Sequence, residues 1–267
     1  MALFGRKEAD SRFALQNAAK TLFANIRFAA VDDPIQSIVI TSAIPGEGKT
    51  SVACELARAI ASSGVSVCMV ECDMRRHSLA ARMNVRAQHG LYAVLSGECE
   101  LEEAVCATDT PNLYVLDAEP QIPNPADIIA SRRFAKLVAQ LESTYAYVIF
   151  DTPPVGAFVD AAEVGHLADG VVFVVRENYA KRKEVVRAVE QLRKAEVHLV
   201  GTVMNCSESA SNAYYEEYGR KRKGERQGST LDQPSDFSTD LTPALPPRRT
   251  ASESVSDGHV PQHGRED

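Results

Sequence analysis

Ala43-Ile44-Pro45-Gly46-Glu47-Gly48-Lys49-Thr50 puts two glycines, a lysine and a hydroxyl into one short turn. Gly46 and Gly48 permit backbone angles and close approach that side chains would block, so successive N–H groups can turn inward onto an anion. Lys49 supplies a point charge for the outer phosphates, and the Thr50 hydroxyl is a ligand for Mg²⁺. Phosphate chemistry also needs carboxylates, and two stretches offer them. Val148-Ile149-Phe150-Asp151-Thr152-Pro153-Pro154 delivers Asp151 at the end of an apolar run, before a rigid proline pair. Cys68-Met69-Val70-Glu71-Cys72-Asp73-Met74-Arg75-Arg76 alternates Glu71 and Asp73 along an extended segment. Both acids then project the same way, as metal anchor and proton acceptor beside a γ-phosphate, with Arg75 to balance phosphate charge. Taken singly, each stretch has a plainer reading: a Gly-rich turn, a strand-end Asp that caps a turn, a solvated strand end.

The flanking elements favour the chemical reading. Ser37-Ile38-Val39-Ile40-Thr41-Ser42 is an apolar β-branched run, and after the turn Val52, Leu56, Ala57 and Ile60 recur at helical spacing. Strand, phosphate loop and helix together are the sequence form of a P-loop, with the positive helix end near Lys49 aimed at the anion. Asp151 then stands at the carboxyl end of its strand, where ligands bind in an open parallel sheet.

Further strands are predicted over 65–71, 113–116, 147–150, 170–175 and 199–204, and short helices over 91–95 and 101–106. Residues 120–125 read as a loop, with Asn124 or Ser131 capping the helices that follow. A helix over 181–194 turns Val185, Val189 and Leu192 inward. Strands that are apolar throughout and alternate with helices mean a parallel sheet covered on both faces. The expected fold is therefore α/β, a P-loop NTPase with a mostly parallel central sheet flanked by helices.

Ahead of it, residues 11–28 form an amphipathic helix with Phe13, Leu15, Leu22, Phe23, Ile26 and Phe28 apolar, ended by Asp33-Pro34. That helix either packs on the domain or serves as an interaction helix. From Ser207 the apolar pattern stops, and a polar segment rich in Ser, Pro, Gly, Arg and Asp reads as a disordered tail. The chain divides into a helical segment, 1–34, a nucleotide-binding domain, 35–206, and a tail, 207–267.

At 267 residues, 45% hydrophobic and 24% charged, the chain can bury one sizeable core. Net charge is -7, so no overall basic field draws it to nucleic acid. No apolar run is long enough to span a bilayer, and no h-region follows the first basic residues. Cys54, Cys68, Cys72, Cys99, Cys106 and Cys206 lie mostly inside apolar patterns and show neither metal-site nor disulfide spacing, which reads as buried free thiols in a cytoplasmic protein. His77, the basic run Arg220-Lys221-Arg222-Lys223 and Pro243-Ala244-Leu245-Pro246-Pro247-Arg248 read as solvated loop or tail.

As a set, these motifs resemble the bacterial protein-tyrosine kinases, cytoplasmic ATPase-like kinases of capsule and exopolysaccharide export. Ala43 to Thr50 is similar to their Walker A, Glu71-Cys72-Asp73-Met74-Arg75 to their Walker A′, and Asp151-Thr152-Pro153-Pro154 to their Walker B. Similarity continues through Gly90-Leu91 to Ser96-Gly97, Pro123-Asn124-Pro125 and Leu167-Ala168-Asp169-Gly170 to Val175-Arg176. The resemblance implies that ATP is bound by Pro45, Gly46, Glu47, Gly48, Lys49, Thr50 and Ser51, with Arg75, and with Asn205 at the adenine. It implies Mg²⁺ on Thr50, Asp73 and Asp151, catalysis by Lys49, Glu71, Asp73 and Asp151, and Glu71 in the base position.

Tyr214, Tyr215 and Tyr218 in the tail would be the phosphate acceptors, used in trans between self-associated subunits. The family's partner is a membrane-bound polysaccharide chain-length regulator that recruits and activates the kinase at the inner face of the membrane. Two departures stand out. The family usually has Asp where Glu71 stands, and its Glu-x-x-Arg-x-x-Arg assembly motif falls on Asn17, Lys20 and Phe23. Chromosome-partitioning and division-site ATPases share the sheet, but their signature Lys falls on Ile44 here. Such a regulatory ATPase, or a nucleotide-binding scaffold without turnover, is the alternative.

Overall fold

The computed structural model describes residues 2–30, 33–76, 78–119, 122 and 124–207. His77, Pro123, the three tail tyrosines, the basic run and the proline-rich stretch lie outside the described residues.

Helix α1 (Ala2–Ala29) precedes β1 (Ser37–Ser42), every residue of which is buried. A strand without a polar face needs cover on both sides, and period two sends alternate residues to different cores. Ile38 and Ile40 join one core with Phe23 and Ile26 of α1 and with α2 (Lys49–Ala61), whereas Val39 joins the other. Strand β2 (Val67–Glu71) divides in the same way, with Cys68 and Val70 on the Val39 side and Met69 opposite. Helix α3 (Leu79–Met83) completes the first layer.

The second layer is built from α4 (Leu91–Ser96), α5 (Leu101–Ala104), α6 (Pro125–Ile129), α7 (Arg132–Thr144), α8 (Asp160–Leu167) and α9 (Arg182–Lys194). Between the layers run β3 (Cys106–Ala107), β4 (Leu113–Leu116), β5 (Tyr147–Asp151), β6 (Gly170–Arg176) and β7 (Leu199–Asn205), with β1 and β2. The sheet order is β3-β4-β2-β5-β1-β6-β7, parallel except for β3 on β4. This order brings the carboxyl ends of β2, β5, β1, β6 and β7 side by side, which is what assembles a site at that edge.

The parallel core strands fall where the apolar runs predict them. The helix expected over 101–106 does not: it stops at Ala104, and Cys106 pairs antiparallel with Val115. A helix of one turn makes few internal hydrogen bonds, so pairing with an available sheet edge outcompetes it. Helix α1 begins well before Ser11, and only part of its expected apolar face is used. Phe23 and Ile26 are buried, with Phe23 edge-on to Tyr147 at 5.3 Å, while Phe13, Leu15 and Phe28 are exposed. Of the cysteines, Cys54, Cys68 and Cys72 are buried, Cys99 and Cys106 are partly exposed, and Cys206 is exposed.

Candidate nucleotide site

The turn between β1 and α2 is held from inside the protein by a glutamate. Glu47 is fully buried; its Oε2 accepts the Ile44 N–H at 2.9 Å and its Oε1 accepts the Arg176 N–H at 3.3 Å. A buried carboxylate is tolerated only when hydrogen-bonded, and here the bonds tie the loop to the end of β6. Asn205, the last residue of β7, donates from Nδ2 to the Glu47 carbonyl at 2.8 Å. Gly46 and Gly48 take φ of 88° and 89°, a region that disfavours side chains. A Cβ on Gly48 would also strike the Asn205 amide, and one on Gly46 would sit 2.6 Å from the Tyr179 hydroxyl. The Tyr179 ring in turn carries the Arg176 guanidinium at 4.8 Å.

Beside this loop two carboxylates meet. Parallel pairing of β2 with β5 places Glu71 directly opposite Asp151. Neither is accessible: Glu71 is 0% exposed and Asp151 1%. Strand β2 ends at Glu71, so strand alternation does not carry on to Asp73; the Glu71 carboxylate turns back onto its own loop. Its Oε1 accepts the Asp73 N–H at 3.0 Å, and its Oε2 accepts the Ser78 and Leu79 N–H groups at 2.8 and 3.0 Å. The last two are unpaired donors at the start of α3, which explains why so short a helix forms where the apolar pattern gives no signal. Burial, then the charge of Asp151, pushes the Glu71 carboxyl up to about 8, against the pull of those three N–H groups. Asp73 is half-buried and caps the next turn, accepting the Arg76 N–H at 3.2 Å.

Asp151 is raised to about 6 by burial, opposed by a bond from the Thr50 hydroxyl and by the charge of Lys49. Its Oδ1 is buried without a hydrogen-bond partner. Lys49 is itself buried; desolvation lowers its pKa, while Asp151 and then Asp73 oppose the shift. The orphaned Asp151 oxygen, the neighbouring Thr50 hydroxyl and the nearby Asp73 carboxylate form a donor set that suits a hard divalent cation. No group of three or more His, Cys, Asp or Glu that could hold a metal occurs among the described residues. Mg²⁺ takes one or two carboxylates and fills its sphere with phosphates and water, so the carboxylates and hydroxyl gathered here are donors enough for it. The exit from β5 is equally firm: Thr41 Oγ1 donates to the Pro153 carbonyl at 3.0 Å, and the Val155 N–H to the Ser42 carbonyl at 3.0 Å.

The structure thus brings Lys49, Thr50, Glu71, Asp73 and Asp151 together, with Pro45 and Gly46 exposed at the loop tip. Arg75 is engaged elsewhere. Its Nη1 donates to Asp160 Oδ1 at 2.6 Å, and its guanidinium lies 4.1 Å from the centre of the Phe158 ring. Ser51 Oγ accepts from Arg82 Nη1 at 2.9 Å. Sequence reasoning missed Asp160 and Arg82. Asp160 opens a helix, where an acid is ordinary, and Arg82 lies on a helix with no apolar period, so neither carries a local signal.

The comparisons with known proteins agree with this geometry. The AAA domain family matches residues 35–204. Tyrosine-protein kinase YwqD of Bacillus subtilis is 35% identical over 202 residues, covering 76% of this chain and 85% of that protein. The chain belongs to the bacterial protein-tyrosine kinase family. Tyrosine-protein kinase CpsD of Streptococcus agalactiae is 31% identical, covering 79% of this chain and 90% of its own length. Among solved structures, the kinase domain of the Escherichia coli tyrosine kinase ETK superposes with a TM-score of 0.69 at 31% identity, over 74% of this chain and 78% of that one. The septum site-determining protein MinD of Pyrococcus horikoshii, solved with Mg-ADP, reaches 0.57 at 22% identity over 66% and 72% of the two chains, a likeness of fold alone. Among the described residues, no helix is long and apolar enough to cross a membrane.

Proposed function

We propose that this chain is an ATP-dependent protein-tyrosine autokinase that regulates capsular or exopolysaccharide synthesis and export. The observation that carries the reading is the buried, unpartnered Asp151 oxygen beside the Thr50 hydroxyl and Lys49, at the mouth of a P-loop. Pro45 to Ser51 cradle the triphosphate of ATP through backbone N–H groups and the α2 terminus. Lys49 meets the outer phosphates, and its buried position strengthens that contact. Thr50, Asp73 and Asp151 would hold Mg²⁺, which neutralises phosphate charge as the γ-phosphoryl leaves.

Glu71 is the proton acceptor for the attacking tyrosine hydroxyl, whose pKa near 10 requires one. A carboxylate raised towards neutrality suits that work better than an ordinary one. Arg75 leaves Asp160 to reach the phosphates, and Asn205 marks the adenine side. Residues 1–34 flank the kinase domain, 35–206, and the segment 207–267 presents Tyr214, Tyr215 and Tyr218 in trans to a self-associated neighbour. The relatives' names support the tyrosine kinase activity. The polysaccharide pathway, the membrane-bound chain-length regulator as activator and a cytoplasmic location at the inner membrane face rest on the family resemblance.

The test incubates the full chain with ATP and Mg²⁺, with and without the cytoplasmic segment of a candidate regulator, and maps phosphotyrosine by mass spectrometry. Phosphate should appear on the tail tyrosines and fall at least about 100-fold in Lys49→Met, the loss expected for removing one preorganised electrostatic contact. The triple Tyr214/Tyr215/Tyr218→Phe chain should abolish the acceptor signal. ATP hydrolysed with every tyrosine bare, even beside a verified activator, would turn the reading to a regulatory ATPase. ATP bound and not turned over would turn it to a scaffold.

A further inference from the structure

Beyond β6 the chain carries a strip of cations that the nucleotide site leaves unused. Lys181, Arg182, Lys183 and Arg187 are all exposed, and none stands in an ion pair among the described residues. The strip adjoins the phosphate loop. Arg176 Nη1 donates to the Gly46 carbonyl at 3.4 Å, and the Tyr179 hydroxyl stands against Gly46. Lys181 follows Tyr179 by two residues, a span of about 7 Å at most. The first cations of α9 therefore lie beside the loop tip, where Pro45 and Gly46 are exposed. The helix itself does not account for them. Arg182 and Lys183 fall in its first turn, where a cation opposes the helix dipole, and Glu184 is the one acid there to balance them. Arg193 and Lys194, in the last turn, are the arrangement that a helix favours.

We propose that Lys181, Arg182 and Lys183 dock the acidic acceptor segment of a second copy of this chain, by pairing with its Glu216 and Glu217. The inference rests on the reading of the chain as an autokinase acting in trans, and it adds the surface that selects the substrate. In Tyr214-Tyr215-Glu216-Glu217-Tyr218 every tyrosine lies within two residues of a glutamate. An extended segment covers about 3.3–3.6 Å per residue, so glutamates held on α9 leave a tyrosine free to reach past Tyr179 to the phosphate loop. The chain as a whole has a net charge of -7, and the strip is a local inversion of the field that an acidic segment otherwise meets. Opposite charges on the two sides steer the segment in and fix its register. The strip takes no part in the transfer itself, so its loss acts on acceptor binding and not on turnover.

The experiment supplies residues 211–219 as a free peptide. The enzyme is the full chain with Tyr214/Tyr215/Tyr218→Phe and Glu216→Gln/Glu217→Gln, whose own tail neither accepts phosphate nor competes for the strip. Adding Lys181→Glu/Arg182→Glu/Lys183→Glu should raise KM for the peptide at least about tenfold, with kcat and the KM for ATP unchanged. A peptide with Glu216→Lys/Glu217→Lys should be the better substrate of the charge-reversed enzyme, a rescue that damage to α9 would not produce. Equal KM for the original peptide with both enzymes would overturn the inference. So would a charge-reversed enzyme that the exchanged peptide does not rescue. Either result leaves the kinase reading standing. No phosphate on any peptide, with either enzyme and a verified activator segment present, overturns both readings. In the unaltered chain the rate of tail phosphorylation per molecule should rise with protein concentration. A rate independent of concentration would place the segment on its own chain and overturn the assignment to a second copy.

Discussion

Two fully buried glutamates organise the two loops of the site, and of the two Glu71 is the one set opposite a second carboxylate across the sheet. Glu47 sits inside the phosphate loop and joins it to β6 by accepting the N–H groups of Ile44 and Arg176. Glu71 ends β2 and gathers its own loop by accepting three N–H groups, but it faces Asp151 across the sheet. Glu47 therefore clamps the phosphate loop from within, whereas burial and the facing Asp151 charge push the Glu71 carboxyl up. The difference comes from the sheet order: β5 lies between β1 and β2, and its terminal acid is opposite Glu71.

The sharpest test of this contrast is Glu47→Ala against Glu71→Ala in metal-free protein. Removing Glu47 strands two N–H donors of the loop, each at about 1–3 kcal/mol. Removing Glu71 also strands donors, but it relieves the strain with Asp151. Chemical denaturation should show the larger loss for Glu47→Ala; equal losses would dissolve the distinction.

Next in size is a pH effect. In the unfolded chain Glu71 ionises near its ordinary value of 4.5, whereas in the fold it keeps its proton until about 8. Between those values the unfolded state has released a proton that the native state retains, so metal-free stability falls as pH rises through that window. Glu71→Gln should flatten this slope in urea titrations, and Mg²⁺ with ADP should flatten it in the original chain. A slope unchanged by the substitution would assign the pH dependence elsewhere.

The smallest effect is expected at Asp160→Asn. The pair with Arg75 leaves Asp160 Oδ2 buried and unpartnered, so stability should change by no more than about 1 kcal/mol. Hydrogen exchange of residues 73–76 should nevertheless quicken, because Arg75 loses its charged anchor. No change in exchange would mean that Glu71 alone holds that loop.

Much of the site was legible because its signals are local. Gly46, Gly48, Lys49 and Thr50 lie in one turn whose backbone angles only small residues adopt easily, and the apolar run into Asp151 marks a buried parallel strand. The pairings left invisible act across long sequence separations. Asn205 reaches Glu47, Arg75 reaches Asp160 and Arg82 reaches Ser51, and nothing in the spacing of either partner announces the other. Helix α1 shows both cases. Its amphipathic pattern was plain, but which apolar residues would be buried, and that Leu15 and Leu22 would line a cavity, followed only from where α2 and β7 lie.

The sequence by itself determined the strand–loop–helix that binds phosphate, the parallel α/β sheet and the acids at its strand ends, since each follows from periodicity and local backbone preference. The tertiary structure decided which acids meet. The sheet order set Glu71 against Asp151, burial removed the water that would have screened them, and the backbone donors within reach drew the Glu71 carboxylate onto its own loop and the Glu47 carboxylate into the phosphate loop.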